Sequence, residues 1–197
     1  MIISIHYFQN KDVLFLAKDL LGKYVFTQID GQITGGIITE TEAYKGIHDK
    51  ASHAYGGRRT QRNEMMYATG GVAYIYLCYG MHYMLNFVTN QQNIPDAILI
   101  RAIKPTHGEE LMLKRTGKKQ CSPTLTNGPG KLCKALGITM RQNGISLNSP
   151  ELWLENRRLS INPQDIQCGP RIGVDYAQED ALLPWRFSLI SSPKDAQ

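Results

Sequence analysis

Glu40-Thr41-Glu42-Ala43-Tyr44 closes a largely apolar run with two acids and a tyrosine. On a strand, alternate side chains share a face, so Glu40, Glu42 and Tyr44 point the same way. A carboxylate beside an aromatic ring suits a pocket wall, where it could act as a base or stabilise positive charge on a sugar. The same five residues could equally form a solvated strand face. Further on, Tyr74-Ile75-Tyr76-Leu77-Cys78-Tyr79-Gly80-Met81-His82-Tyr83 carries four tyrosines. Such rings stack nucleic-acid bases, at about 1–3 kcal/mol each, although tyrosine also fills ordinary cores. Tyr74 and Tyr76 share a face, and Tyr79 sits where Gly80 turns the chain.

Arg58, Arg59 and Arg62 form one basic segment; Lys114, Arg115, Lys118 and Lys119 form another. Either could track phosphates or simply be solvated. Asn127-Gly128-Pro129-Gly130-Lys131 offers free backbone amides at an expected helix start, which is a seat for an anion or a plain turn and cap. It is not a nucleotide P-loop, because Leu132 stands where Ser or Thr would meet magnesium and the glycine spacing differs. Cys78, Cys121, Cys133 and Cys168 include no C-x-x-C pair, and His48 and His53 fit no common ligand spacing. Neither a metal nor another cofactor is expected, and the cysteines read as reduced and structural.

These residues need a scaffold, and 197 residues with 42% apolar content can supply a single domain spanning 1–197. The excess of 22 Lys+Arg over 17 Asp+Glu gives +5, which favours an anionic partner. No apolar run approaches the ~20 residues of a membrane span. The start, MIISIHYFQNKD, lacks the basic flank and apolar core of a secretory signal. A cytoplasmic, nucleoid-associated protein without membrane contact is expected.

Asn10 is the expected cap of a helix over Lys11–Leu21, ended by Gly22. KYVFTQID and ITGGIITETEAY then read as a hairpin around a Gly31-Gln32 turn, with a bulge or close approach at Gly35-Gly36. Periodicity fails from Lys45 to Asn63, a long loop of the kind that is usually functional or disordered. VAYIYLCY, HYMLNFVTN and DAILIRAIK bring the count to about five strands, mostly antiparallel because the connections are short. Thr106-x-x-Glu109 reads as a capping box opening a helix to about Arg115, and a second short helix covers Lys131–Leu136. SLNSPELWLE, RLSIN and WRFSLI are strand-like fragments. The expected class is α+β: a curved, barrel-like, mostly antiparallel sheet with a few packed helices.

Taken together, these stretches resemble the alkyladenine (3-methyladenine) DNA glycosylase family. The likeness runs from Leu20-Leu21-Gly22-Lys23 to Arg171-Ile172-Gly173-Val174 and Trp185-Arg186-Phe187. Its strongest pieces are Glu40–Tyr44, His53 with Gly56-Gly57-Arg58, Arg62-Asn63, Tyr74–Asn86, Leu99-Ile100-Arg101-Ala102 and Gly128–Leu132. The resemblance implies that Glu42 is the general base and that Arg101 helps to hold the attacking water. It implies that Tyr44, His53 and Tyr76 sandwich an extruded base, that Asn86 borders the pocket floor, and that Tyr79 wedges into the duplex. Arg58, Arg59, Arg62, Gly128, Gly130 and Lys131 would then meet the DNA backbone. His82 and Tyr67 depart from the family's usual aromatic and Phe, and both are expected beside the wedge.

On this resemblance the substrate is double-stranded DNA carrying alkylated purines such as 3-methyladenine or 7-methylguanine, with hypoxanthine left open. The product is an abasic site, because no lysine in the matched motif offers a Schiff base. A monomer suits such an enzyme. The rival readings are a non-catalytic binder of distorted DNA and an RNA-modifying or nucleoside-hydrolysing enzyme. A pure binder gains nothing from a carboxylate near phosphates, and a free-nucleoside hydrolase needs neither basic loops nor Tyr79.

Overall fold

A computed structural model describes residues 1–191 of the chain. Within them, eight strands form one sheet: β1 Tyr24–Ile29, β2 Gln32–Lys45, β3 Ala73–Cys78, β4 His82–Thr89, β5 Asp96–His107, β6 Leu152–Glu155, β7 Ile166–Gly169 and β8 Arg186–Leu189. Their order is β3-β4-β5-β2-β1-β6, with β8 on β2 and β7 on β8, and every pair is antiparallel. The sheet curls into a half-barrel. Helices α1 (Val13–Asp19), α2 (Glu109–Thr116) and α3 (Pro129–Leu136) complete an α+β fold.

Alternation along the strands divides this sheet into two faces. Ile98 and Ile100 of β5, Leu85 and Phe87 of β4, and Ala73 and Ile75 of β3 join one core with Leu16 of α1 and Leu132 and Leu136 of α3. Each such side chain contributes about 1.5–3 kcal/mol when fully buried. The residues between them (Ala97 and Leu99, Met84 and Asn86, Tyr74 and Tyr76) therefore face the other way. That second face carries the polar groups.

The alternation breaks once, in a way that matters below. Ile38 pairs with Ile103 and Thr41 with Ile100, and all four are buried toward the helices. A regular strand would turn over across that interval. Instead each strand carries one extra residue, Thr39 on β2 and Arg101 on β5, and these flank the retained pair Glu40–Ala102. A further register break lies at Gly35/Gly36, where a Cβ on Gly36 would stand 2.2 Å from the carbonyl oxygen of Lys104. Only glycine fits there.

Several local expectations change. The cap of α1 is Asp12, whose carboxylate accepts from the amides of Leu14 and Phe15, while Asn10 accepts from the amide of Asp12. The first hairpin turns on Asp30-Gly31, both at positive φ, as a two-residue turn with right-handed strand twist demands. Thr106 caps nothing: β5 continues through it, its buried hydroxyl has no partner among the described residues, and Gly108 at φ 70° opens α2. RLSIN is not a strand, whereas β7, unforeseen, pairs with β8. Only Cys133 among the four free cysteines is buried.

The segment Lys45–Asn63 is ordered by polar groups rather than by periodicity. Asp49, without exposed surface, accepts from the amides of Lys45 and Ala51 and pairs with Arg171 through both oxygens. Asn63 accepts from the Thr60 amide and donates to the carbonyls of His53 and Arg58. Arg171 also donates to the Ala43 carbonyl and lies over the rings of Tyr44 and Trp185, at 4.8 and 5.0 Å. Removing one partner of a buried pair strands the other charge, at about 3–5 kcal/mol. Arg171→Leu is therefore expected to lower unfolding free energy by about that amount; a denaturant midpoint equal to the parent's would show that Asp49 does not depend on it.

Candidate active site

Direct cross-strand pairing places Glu42 opposite Leu99, Leu99 opposite Asn86, and Asn86 opposite Tyr74. One rung of the sheet thus runs Glu42–Leu99–Asn86–Tyr74, all on the face away from the helices. Three inter-strand spacings separate its ends, roughly 14 Å along the sheet. Two residues along each outer strand, Tyr44 and Tyr76 join the same face. A cavity of about 510 Å³ stands on this floor, lined by Tyr44, His53, Tyr74, Tyr76, Asn86 and Arg101 among others. That is an ordinary size for a small-molecule site.

Glu42 has no exposed surface. Its Oε1 accepts from the Ile172 amide at 2.8 Å and pairs with the Arg101 guanidinium at 3.3 Å; its Oε2 accepts from the Tyr44 hydroxyl at 2.8 Å. Burial pushes the carboxyl above its ordinary 4.5, against the downward pull of Arg101, the Ile172 amide and Tyr44, and the charge of Glu40 adds to the rise. An ionised carboxylate offers about four lone-pair sites. Three are occupied, and the remaining one lies on Oε2. Burial also pushes up the hydroxyls of Tyr44, Tyr74 and Tyr76, so all three stay protonated.

His53 and Tyr76 meet edge to face, with centroids 4.6 Å apart at 70°, and together form one wall. No base fits between these two rings; Tyr44, from β2, lines the same cavity. Tyr74, which the sequence pattern singles out only as a neighbour of Tyr76, shares a 2.8 Å hydrogen bond with Nδ1 of His53. Burial, then the charges of Arg62 and Arg58, push the imidazole down to about 4. It is neutral at any physiological pH. Asn86 is nearly buried in the floor, its amide nitrogen donating to the carbonyls of Tyr74 and Met84.

Tyr79 is 88% exposed at the tip of the β3–β4 hairpin, on the cavity rim. Tyr79 and Gly80, at φ 49° and 69°, form the tight turn that throws the ring outward. Beside the rim, Arg58, Arg62, Lys50 and Tyr176 line a groove of about 340 Å³. Arg62 lies over Tyr76 at 5.7 Å and links groove to cavity. Arg59 is committed elsewhere: it bonds Glu64 at 3.0 and 2.5 Å and Asn93 at 3.0 Å, over the ring of Tyr67. Tyr67 thus belongs to that corner and not to the wedge. In the second basic segment, Arg115 is taken up by Thr34 and the Ala135 carbonyl, and Lys118 by Thr124.

Gly128 donates its amide to the Arg101 carbonyl and Asn127 bridges to Ala102, so the start of α3 docks on β5 at its bulge. Gly130 lies against His82, where a Cβ would come within 2.9 Å of the ring, and Lys131 is exposed. Sequence spacing could not reveal the Ile172 amide, Arg171 or Arg186. They approach from beyond residue 165 and act through main chain or through ion pairs remote in sequence.

Comparison with known proteins agrees with this arrangement. A family model described as methylpurine-DNA glycosylase (MPG) matches residues 7–193. A protein of Chlamydia felis (strain Fe/C-56) is 53% identical over 184 residues, covering 93% of each chain. One of Chlamydia pneumoniae is 50% identical over 192 residues, 97% of this chain and 95% of its own. One of Bacillus cereus is 47% identical over 194 residues, 94% and 95% of the two chains. All three carry the provisional name 3-methyladenine DNA glycosylase. The chain belongs to the methylpurine-DNA glycosylase family, and its enzyme class is that of a DNA N-glycosylase, a hydrolase.

Proposed function

We infer that the protein extrudes an alkylated purine from double-stranded DNA into the aromatic cavity and hydrolyses its N-glycosidic bond with a water activated by Glu42. The observation that carries this reading is the buried carboxylate directly behind the cavity lining, bonded to Tyr44 and Ile172 and paired with Arg101, all three of which line the cavity. The stacked base must leave the duplex before its sugar carbon can be reached, at a few kcal/mol. Tyr79 at the rim would fill the gap, and Arg58 and Arg62 would meet flanking phosphates.

Alkylation at N3 or N7 leaves the purine cationic, so it departs with the bonding electrons as a neutral molecule. Rings of Tyr44 and Tyr76 favour the cation by ~0.5–2 kcal/mol, and a neutral His53 does not repel it. As the C1′–N bond lengthens, positive charge develops on the sugar beside the Glu42 carboxylate. Water then forms the new C1′–O bond and passes its proton to Oε2. The product is an abasic site in an unbroken strand.

Glu42→Gln is expected to slow single-turnover base release from methylated duplex by about 10²–10⁴-fold while lesion binding stays near the parent value; mass spectrometry of the released base reads the first and a gel shift the second. Release at the parent rate would sink the reading.

The pH dependence has a worked sign. Glu42 must be ionised to accept a proton and its pKa is raised, so the rate falls as pH drops, with its midpoint above 4.5. His53 titrates only at about 4. Binding of a methylated duplex by the Glu42→Gln protein is thus expected to stay level from pH 8 to about 6, the ordinary histidine range. A loss of binding in that window would mean that His53 charges there.

Tyr79→Ala is expected to lower the fluorescence gain of 2-aminopurine placed beside a lesion, because nothing then fills the vacated stack. An equal gain in parent and variant would remove Tyr79 from extrusion.

A further inference from the structure

Glu40 is the acid of the sequence pair for which the reaction above has no use. Alternation places it on the face of Glu42, yet it sits between the bulges at Thr39 and Arg101, paired with Ala102 of β5 and Ser188 of β8. It lines a second cavity of about 710 Å³, which shares Arg101 and Ile172 with the aromatic cavity as a common wall. Glu40 is thus separated from a base stacked against Tyr44 and cannot serve as the proton acceptor there.

Its contacts are specific. Glu40 Oε1 accepts from Arg101 Nε at 3.2 Å and from an Arg186 guanidinium nitrogen at 3.1 Å. Arg101 turns its NH1 to Glu42 at 3.3 Å, and Arg186 donates from Nε to the Pro170 carbonyl at 2.8 Å. An extruded residue lacks the regular ladder pairs that would fix its backbone. Arg101 occupies such a position, and the Glu40 carboxylate sets the direction of its side chain. The chain Glu42–Arg101–Glu40–Arg186–Pro170 closes on Ile172, whose amide returns to Glu42.

We propose that Glu40 is a positioning residue, holding Arg101 between two carboxylates so that Glu42 keeps both its geometry and its basicity. This rests on the reading of Glu42 as base. Without the Glu40 charge, Arg101 would turn wholly to Glu42 and a repulsive neighbour would vanish; both changes favour the ionised form of Glu42 and weaken it as a base. The other groups facing Glu42 are Tyr44 on β2, Tyr76 on β3, and the Ile172 amide and Arg171 from the segment before β8. None of them bonds Glu40.

The experiment compares Glu40→Gln and Arg186→Gln with the parent in single-turnover base release across pH, with lesion binding and thermal melting measured in parallel. Glu40→Gln is expected to slow release by about 10–100-fold, the usual penalty for a misplaced catalytic group. Its binding should be unchanged and its acid limb should move to lower pH. Arg186→Gln should move that limb the opposite way, because it leaves the Glu40 charge uncompensated. Opposite shifts support the proposal; a rate loss with unmoved limbs, or limbs moving together, overturns it. If Glu40→Gln melts below the assay temperature, the direction of the Arg186→Gln limb decides alone. Glu42→Gln is the control: activity there would sink the base reading itself, whereas an inert Glu42→Gln beside a fully active Glu40→Gln would sink only the role of Glu40.

Discussion

A carboxylate with no exposed surface has to be held charged by its neighbours, and that requirement at Glu42 organises much of this molecule. Moving an isolated carboxylate out of water is costly enough that it would normally protonate instead. Here three donors stand against that tendency: a guanidinium from β5, a hydroxyl two residues along β2, and an amide from the segment between β7 and β8. The balance leaves the group raised, with three neighbours that favour the ionised form the proposed base would need. Each donor is fixed by something larger than itself. Tyr44 is clamped under Arg171, and Ile172 follows Arg171 in a segment tied to Asp49, so the buried pair beneath the loop and the carboxylate above it share a support.

The two faces of the sheet explain how such polar groups coexist with a dry core. Apolar side chains toward α1 and α3 alternate with polar and aromatic ones toward the cavity, so one set of backbone hydrogen bonds serves both. The bulges at Thr39 and Arg101 break that economy beside the site, as the register shift at Gly35/Gly36 does farther along the same ladder. They interrupt the β2–β5 ladder where the two cavities meet, and Arg101, whose guanidinium reaches Glu42, is one of the two unpaired residues.

Much of this was legible from residue order. The Glu42–Tyr44 alternation, the turn at Tyr79-Gly80 and the apolar runs of β3, β4 and β5 are local signals with local causes, and the structure follows them, whereas Glu40 leaves the pattern at the bulges beside it. Other features have causes that spacing does not carry. Thr106 and Glu109 satisfy a capping pattern, but cross-strand pairing with β2 extends β5 through Thr106 and removes the cap. Arg59 reads like its neighbours Arg58 and Arg62, yet Glu64 and Asn93 consume its donors. The Asp49–Arg171 pair joins positions 122 apart, and the Ile172 donor is main chain, so no side-chain pattern announces it. Tertiary contact decides each case.

The basic segment acts on the cavity as well as on its surroundings. Arg62 and Arg58 help to suppress protonation of His53, whose ring forms a wall with Tyr76. On the proposed function the cavity takes a cationic base, which an imidazolium in the wall would repel, so positive charge at the rim would serve to keep the wall neutral. Those arginines face outward, where phosphates would neutralise them, while the rings behind them offer only π-faces to what enters. Attraction for a polyanion and tolerance of a cationic base are thereby separated over the thickness of one aromatic layer. With the Glu42 carboxylate bonded to Tyr44, a cationic base stacked there and the charge that develops on its sugar would both meet negative charge from Glu42, and the bond between them is where that field would act.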